Sequence, residues 1–204
     1  MLIEKEYLAI GFAGCGQVEL IAGCAAFYKK ENKKLLCMDF SKTAALRSII
    51  PLPQELEQTK NVVLSYRTID YIHADPTSKI QDFAFDYDIV LIDFGREINH
   101  RQIEDCDKMY YVTDMLRHNV LLLKQCERIR NRHMVLKHYL PGGNPPETYA
   151  QELNIDIREL FVLPYVEKQM LPFLSGTSLD KIKDRCFGYD TKKLIKTIVK
   201  EERE

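Results

Sequence analysis

The sequence predicts a doubly wound, mainly parallel α/β sheet with helices on both faces. Two observations carry this: short apolar runs alternate with helical patterns along the whole chain, and the first run passes through a glycine-rich turn into a helix. A third is Asp88-Ile89-Val90-Leu91-Ile92-Asp93, an apolar core flanked by acids, as expected of a central parallel strand that delivers a carboxylate at its C-terminal end.

The elements follow in order. Tyr7 to Gly11 reads as a buried strand, and residues 18 to 30 as a helix, with small residues Ala22, Gly23, Ala25 and Ala26 for close packing and lysines at its C-terminal end. Lys34 to Asp39 is a second buried strand, so a parallel pair with a right-handed crossover is expected. Residues 41 to 58 contain Pro51 and Pro53 and predict one or two short helical pieces. Residues 62 to 73 predict a strand with room for a turn. Beyond Asp93 come a strand over Lys108 to Thr113, a helix over 116 to 131, and a strand over His133 to Leu136. A Pro/Gly loop at 141 to 146, a helix over 147 to 153 and a strand over Phe161 to Pro164 follow, and two helices, 178 to 186 and 191 to 203, close the chain.

Composition sets the class. With 204 residues, 46% hydrophobic and 29% charged, and no Ser/Gly-rich or Pro-rich run dividing it, residues 1–204 are expected to form a single domain. The formal charge of -1 provides no overall field toward nucleic acid or an anionic membrane. The six cysteines include no CxxC pair, several lie in apolar segments, and no metal-ligand spacing is visible. Acidic residues precede the first apolar run, which is wrong for a signal peptide and too short to span a bilayer. A cytoplasmic location is expected.

The segment Gly11-Phe12-Ala13-Gly14-Cys15-Gly16-Gln17-Val18-Glu19 resembles the deviant Walker A loop of MinD/ParA ATPases, which reads KGGVGKTT after a leading glycine. Lys33 to Asp39 is similar to that family's G-x-K-V-L-L-I-D strand, Tyr87 to Asp93 to its Y-D-x-V-L-I-D Walker B strand, and Leu163-Pro164-Tyr165 to its late I-P-Y segment, so the resemblance covers nearly the whole chain. It implies a P-loop NTPase-like fold and a nucleotide site at Gly11, Gly14, Cys15, Gly16, Gln17, Val18, Asp39 and Asp93. In a working loop, backbone N–H groups cradle the phosphates, a lysine bonds the β/γ-phosphate oxygens and a Ser/Thr hydroxyl ligates magnesium. Here Gln17 stands at the lysine, Val18 at the hydroxyl and Phe12 at the family's additional signature lysine. Ser41 stands at the water-positioning aspartate and Lys137 at the adenine-reading asparagine. Loss of one such cation commonly costs about 4 kcal/mol of transition-state stabilisation. The reading is therefore a vestigial site: a pseudo-ATPase with no catalytic residue, no cofactor expected beyond weak ATP or anion binding, and no metal.

Further features are weighed in the same way. Cys15 sits at a helix N-terminus, where a thiol pKa can be lowered, but the family places a small apolar residue there and cysteine fits as its isostere. Glu19 reads as a dipole-stabilising acid, since no His or Lys adjoins it in sequence. The basic stretch Arg117, His118, Lys124, Arg128, Arg130, Arg132, His133 and Lys137 reads as a solvated face, against DNA binding. The Leu194, Ile195, Ile198 and Val199 stripe reads as packed on the domain, against direct membrane binding. With chemistry gone and fold kept, the resemblance points to CpaE/TadZ-type localisation factors of pilus or secretion machines. Protein partners are then expected, such as an active ATPase or an envelope machine, in a homo- or heterodimer. The alternatives are a nucleotide-binding switch without efficient hydrolysis and a nonspecific DNA-binding partitioning partner.

Overall fold

The computed structural model describes residues 7–50, 59–66, 68–126, 132–175, 177 and 181–200. Eight strands form one sheet: β1 (Leu8–Gly14), β2 (Leu35–Asp39), β3 (Leu64–Tyr66), β4 (Ile69–His73), β5 (Ile89–Asp93), β6 (Lys108–Thr113), β7 (Arg132–Tyr139) and β8 (Leu160–Pro164). Their order is β3-β4-β2-β5-β1-β6-β7-β8, and every pairing is parallel except the β3–β4 pair at one edge. The predicted 62–73 strand is thus a hairpin whose two arms are separated by residues 67 and 68.

Six α-helices accompany the sheet among the described residues: α1 (Val18–Lys30), α2 (Gln81–Ala84), α3 (Arg117–Lys124), α4 (Pro146–Leu153), α5 (Glu167–Leu174) and α6 (Tyr189–Lys200). The period-two alternation of β1 assigns the two faces. Ile10 and Phe12 join Leu20, Ile21, Leu194 and Ile198 in the core under α1 and α6, while Ala9 and Ala13 join Val120, Tyr149 and Leu153 under α3 and α4. The α6 stripe is buried as expected. Gly23 makes the α1–α6 contact close, because a Cβ there would lie 2.3 Å from Ile195 Cδ1.

Several boundaries differ from expectation. The helix predicted over 116–131 ends at Lys124, followed by the Gln125 C-cap. Its last residues, 127–131, lie outside the described residues, as do 51–58 of the predicted 41–58 helical pieces, where a 3-10 turn occupies Ala45–Ile49. Of the predicted 178–186 helix, the described part contains only a 3-10 turn at Asp184–Cys186. The last helix begins two residues earlier than predicted, at Tyr189. α5 was not expected from sequence, and Pro172 lies inside it, where it contributes no backbone donor to the ladder.

Phe12 is the main correction. The resemblance aligns it with a loop lysine, but it is an interior residue of β1, fully buried, paired with Asp93 across the ladder and stacked on Tyr110 at 5.5 Å between ring centroids. We expect Phe12→Ala to lower unfolding free energy by about 3–5 kcal/mol in denaturant titrations, the range of a large aromatic removed from a packed core.

Candidate functional site

The candidate site lies where β1, β2 and β5 end together. Gly14 leaves β1 with φ of +117°, and a Cβ there would meet the Val112 carbonyl oxygen at 2.0 Å, so only glycine fits. The chain is fastened on both sides by backbone alone: Gly14 N donates to Gly95 O at 2.7 Å and Cys15 N to Val112 O at 2.8 Å. The N–H groups of Gly16, Gln17, Val18 and Glu19 then open α1 with no backbone acceptor among the described residues, the arrangement of an anion-binding helix N-terminus.

Above this turn is a cleft of about 590 Å³ walled by Gly14 to Val18, by Ser41, Lys42, Thr43 and Ala45 after β2, by Gly95 to Glu97 after β5, and by His118 and Asn119 of α3. Arg96 is exposed at its rim and donates to Asn119 Oδ1 at 3.3 Å, while Lys42 pairs with Glu97 at 2.6 Å. Of the residues expected in the site, Gly14, Cys15, Gly16, Gln17 and Val18 line the cleft. Gly11 does not. It lies within β1, where its missing Cβ accommodates Met109, Cys106 and Phe94.

Asp39 and Asp93 lie beneath the cleft, fully buried and register partners on adjacent strands. Asp39 is taken up by its own turn: Oδ1 accepts from Ser41 N at 2.8 Å and Oδ2 from Leu46 N at 3.1 Å. Asp93 Oδ1 accepts from Gln17 Nε2 at 2.8 Å and from Gly95 N at 2.7 Å. Burial pushes both carboxyls up, Asp39 to about 6 against the hydrogen bonds it accepts, and Asp93 to about 7, where the charge of Asp39 adds to burial.

Glu19 was expected without a partner and has several, all distant in sequence. Lys137 Nζ reaches its Oε1 at 2.5 Å, and His138 Nε2 and Gln169 Nε2 lie 3.3 Å from its Oε2. Lys137 also donates to Gly16 O at 3.0 Å, and the space over Gly16 is filled by its side chain. Gln169 Oε1 in turn accepts from Thr191 Oγ1 at 3.0 Å. One buried network therefore ties the loop and α1 to β7, α5 and α6. Burial alone would raise the Glu19 pKa, but the His138 bond and the Lys137 ammonium outweigh it and hold it below its ordinary value. Burial pulls Lys137 down, opposed by Glu19.

Two other expectations change here. Burial raises the Cys15 thiol, a larger influence than the lowering by Arg96 and Lys137, so the thiolate is disfavoured despite the helix N-terminus. The basic stretch is not one face: Arg117 and His118 are exposed on α3, whereas His133 stacks on Tyr110 at 4.8 Å and Lys137 is buried. Arg128 and Arg130 lie outside the described residues.

Solved structures carry the same arrangement of strands and helices. A ParA family ATPase from Chlorobium tepidum TLS superposes with a TM-score of 0.62 at 18% identity, over 92% of this chain and 96% of that one. A chain of the MinC:MinD cell division protein complex of Aquifex aeolicus gives 0.66 at 16% identity, over 97% of this chain and 96% of that one. The pNOB8 ParA bound to nonspecific DNA gives 0.66 at 13%, over 97% and 100%. The chain has the MinD/ParA P-loop NTPase fold. No family model and no curated relative matches the sequence, so the likeness is one of fold. Among the described residues no helix is long and apolar enough to cross a membrane, and no cluster of three or more His, Cys, Asp or Glu is placed to hold a metal.

The network makes a stability prediction. Lys137→Met or Glu19→Gln alone should cost about 3–5 kcal/mol, because each strands a polar partner in the interior, while the double substitution should cost less than the sum. The sign with pH follows from the depressed Glu19 pKa. Its contribution is present above the ordinary carboxylate pKa of 4.5 and is lost as pH falls through the lower folded value. Urea titrations between neutral and acid pH check both statements.

Proposed function

We propose that the chain is a non-catalytic, P-loop-like scaffold or regulator that binds protein partners through the face around its degenerate loop, in the localisation or assembly of a pilus, secretion or other envelope machine. The observation that carries the reading is the Gln17–Asp93 hydrogen bond of 2.8 Å. It joins the position of the phosphate lysine to the strand-end carboxylate, so the Gln17 amide nitrogen is committed to Asp93.

A magnesium–triphosphate does not fit the side chains present. Val18 has no hydroxyl, both Asp39 oxygens accept from backbone N–H groups, and Lys137, at the adenine-reading position, turns its ammonium under the loop onto Glu19 and Gly16. Of the charge-neutralising groups that phosphoryl transfer requires, the loop retains only its backbone N–H groups. Protein partners accompany relatives in fold, as in the MinC:MinD complex, which supports a surface role without identifying the partner. Dimer formation, with a second copy or with an active ATPase, belongs to the same proposal.

The free N–H groups of α1 and the exposed Arg96 favour a second reading, a nucleotide-binding switch without efficient hydrolysis. Calorimetry separates the two. On the scaffold reading, ATP with magnesium shows no saturation below about 1 mM, a binding free energy of about 4 kcal/mol or less. A submicromolar constant, about 8 kcal/mol or more, establishes the switch. Hydrolysis should stay at background and be unchanged in Asp93→Ala. Arg96→Glu, exposed at the cleft rim, should weaken self-association or partner capture while leaving circular dichroism unchanged. Retention of all assembly in that variant would remove the loop face as the interface.

A further inference from the structure

Two buried oxygen atoms beside the loop lack partners, and they belong to side chains already joined. Gln17 Nε2 donates to Asp93 Oδ1, while Gln17 Oε1 and Asp93 Oδ2 are both sealed from solvent without a hydrogen bond. Each buried acceptor left in this state costs about 1–3 kcal/mol. We propose that Gln17 and Asp93 form a proton-binding pair, in which Asp93 is protonated on Oδ2 and donates to Gln17 Oε1, closing a ring with the Nε2–Oδ1 bond.

The surroundings assign the proton to Asp93 and not to Asp39. Both oxygens of Asp39 accept from backbone N–H groups, which favours its ionised form, whereas Oδ2 of Asp93 accepts from nothing. The two carboxyls are register partners on β2 and β5, so ionising both would set like charges side by side in the interior. The other titratable or charged groups around the two carboxyls are Tyr71 of β4, whose buried and unpartnered hydroxyl feels the charge of both, Cys37 of β2, which feels Asp39, and Arg47, which faces Tyr71. No lysine or arginine bonds Asp93 among the described residues. The raised folded-state position of Asp93, near 7, agrees with this geometry. The proton comes from bulk water and returns to it, so no other reactant is needed. Its consequence is mechanical: with the proton in place, β5 holds the loop through two bonds, and without it through one, beside a second buried charge. This device does not depend on what the cleft binds.

The sign with pH is definite. A carboxyl raised above its unfolded value contributes stability that is complete below pH 3.8 and is lost as pH rises through the folded value near 7. Asp93→Asn reproduces both hydrogen bonds without a proton, since the new amide donates to Gln17 Oε1 and accepts from Nε2. Thermal melts of the full chain from pH 5 to 9, with infrared spectra of the protonated carboxyl band, test this. Wild type should lose stability as pH rises toward neutrality, with the native state holding up to about one proton more than the unfolded state. Asp93→Asn should lose the part of the slope centred near pH 7, be at least as stable as wild type at pH 8.5, and lack at pH 7 the carboxyl band that Asp39→Asn should keep. The proposal is overturned if the band survives in Asp93→Asn, if Asp39→Asn abolishes it, or if Asp93→Asn folds but keeps the pH slope. Stabilisation of wild type by millimolar magnesium at pH 8.5, absent in Asp93→Asn, would also overturn it, because a metal ion would then be the missing partner. Should Asp93→Asn not fold, Gln17→Leu serves: it removes the acceptor and shifts the carboxyl band, and an unshifted band refutes the pair.

Discussion

Everything around the cleft depends on the way β1 leaves the sheet. β1 is flanked by β5 and β6, so its chain can exit only between the segments that follow those strands, and Gly14 passes there because the Val112 carbonyl stands where a Cβ would be. The two bonds that hold the exit, Gly14 N to Gly95 O and Cys15 N to Val112 O, involve no side chain. The turn is therefore indifferent to the loss of the lysines and the hydroxyl that the family resemblance leads one to expect. Shape and chemistry are separable here because backbone builds the first and side chains the second.

The side chains present in and behind the loop do not leave their charges loose. Glu19, read in isolation, puts an anion at the mouth of an anion site. In the fold Lys137 neutralises it, and His138 and Gln169 supply further hydrogen bonds, so the loop is anchored to β7 and, through Gln169 and Thr191, to α6. A buried pair of this kind gives little net stability over an apolar pair of the same volume, but either half alone is costly, which makes the arrangement a constraint on geometry more than a source of stability. The Gln17–Asp93 pair acts in the same sense from the other side of the loop.

Much of this was legible in the sequence, for identifiable reasons. The central strands announce themselves as apolar runs ending in Asp39 and Asp93, and α1 by its small residues, because burial on both faces of a parallel sheet restricts composition strongly. Phe12 was misplaced because motif alignment outweighed periodicity: Ile10 and Phe12 alternate with Ala9, Gly11 and Ala13, which already marks it as an inward strand position. The Lys137–Glu19 pair spans 118 residues, and nothing local at either end signals the other. Arg117 and His118 kept the solvated face expected of them, whereas Lys137 is buried and His133 half-buried because strand β7 runs through the second half of that basic stretch.

Magnitudes decide what the remaining cleft can do. The α1 N-terminus and its free N–H groups favour an anion by about 0.3–1 kcal/mol where exposed, and Arg96 at the rim adds a screened surface charge worth about as much. These two contributions alone fall short of the about 8 kcal/mol that micromolar binding requires, so the rest has to come from direct hydrogen bonds and buried area. The rim offers some: Leu116, 54% exposed, opens α3 beside Arg117 and His118, and Leu140 and Tyr165 follow the ends of β7 and β8 on the same C-terminal rim of the sheet. A stable protein contact buries about 1,200–2,000 Å² in total, which a macromolecule spanning cleft and rim can reach and a small molecule confined to the cleft cannot.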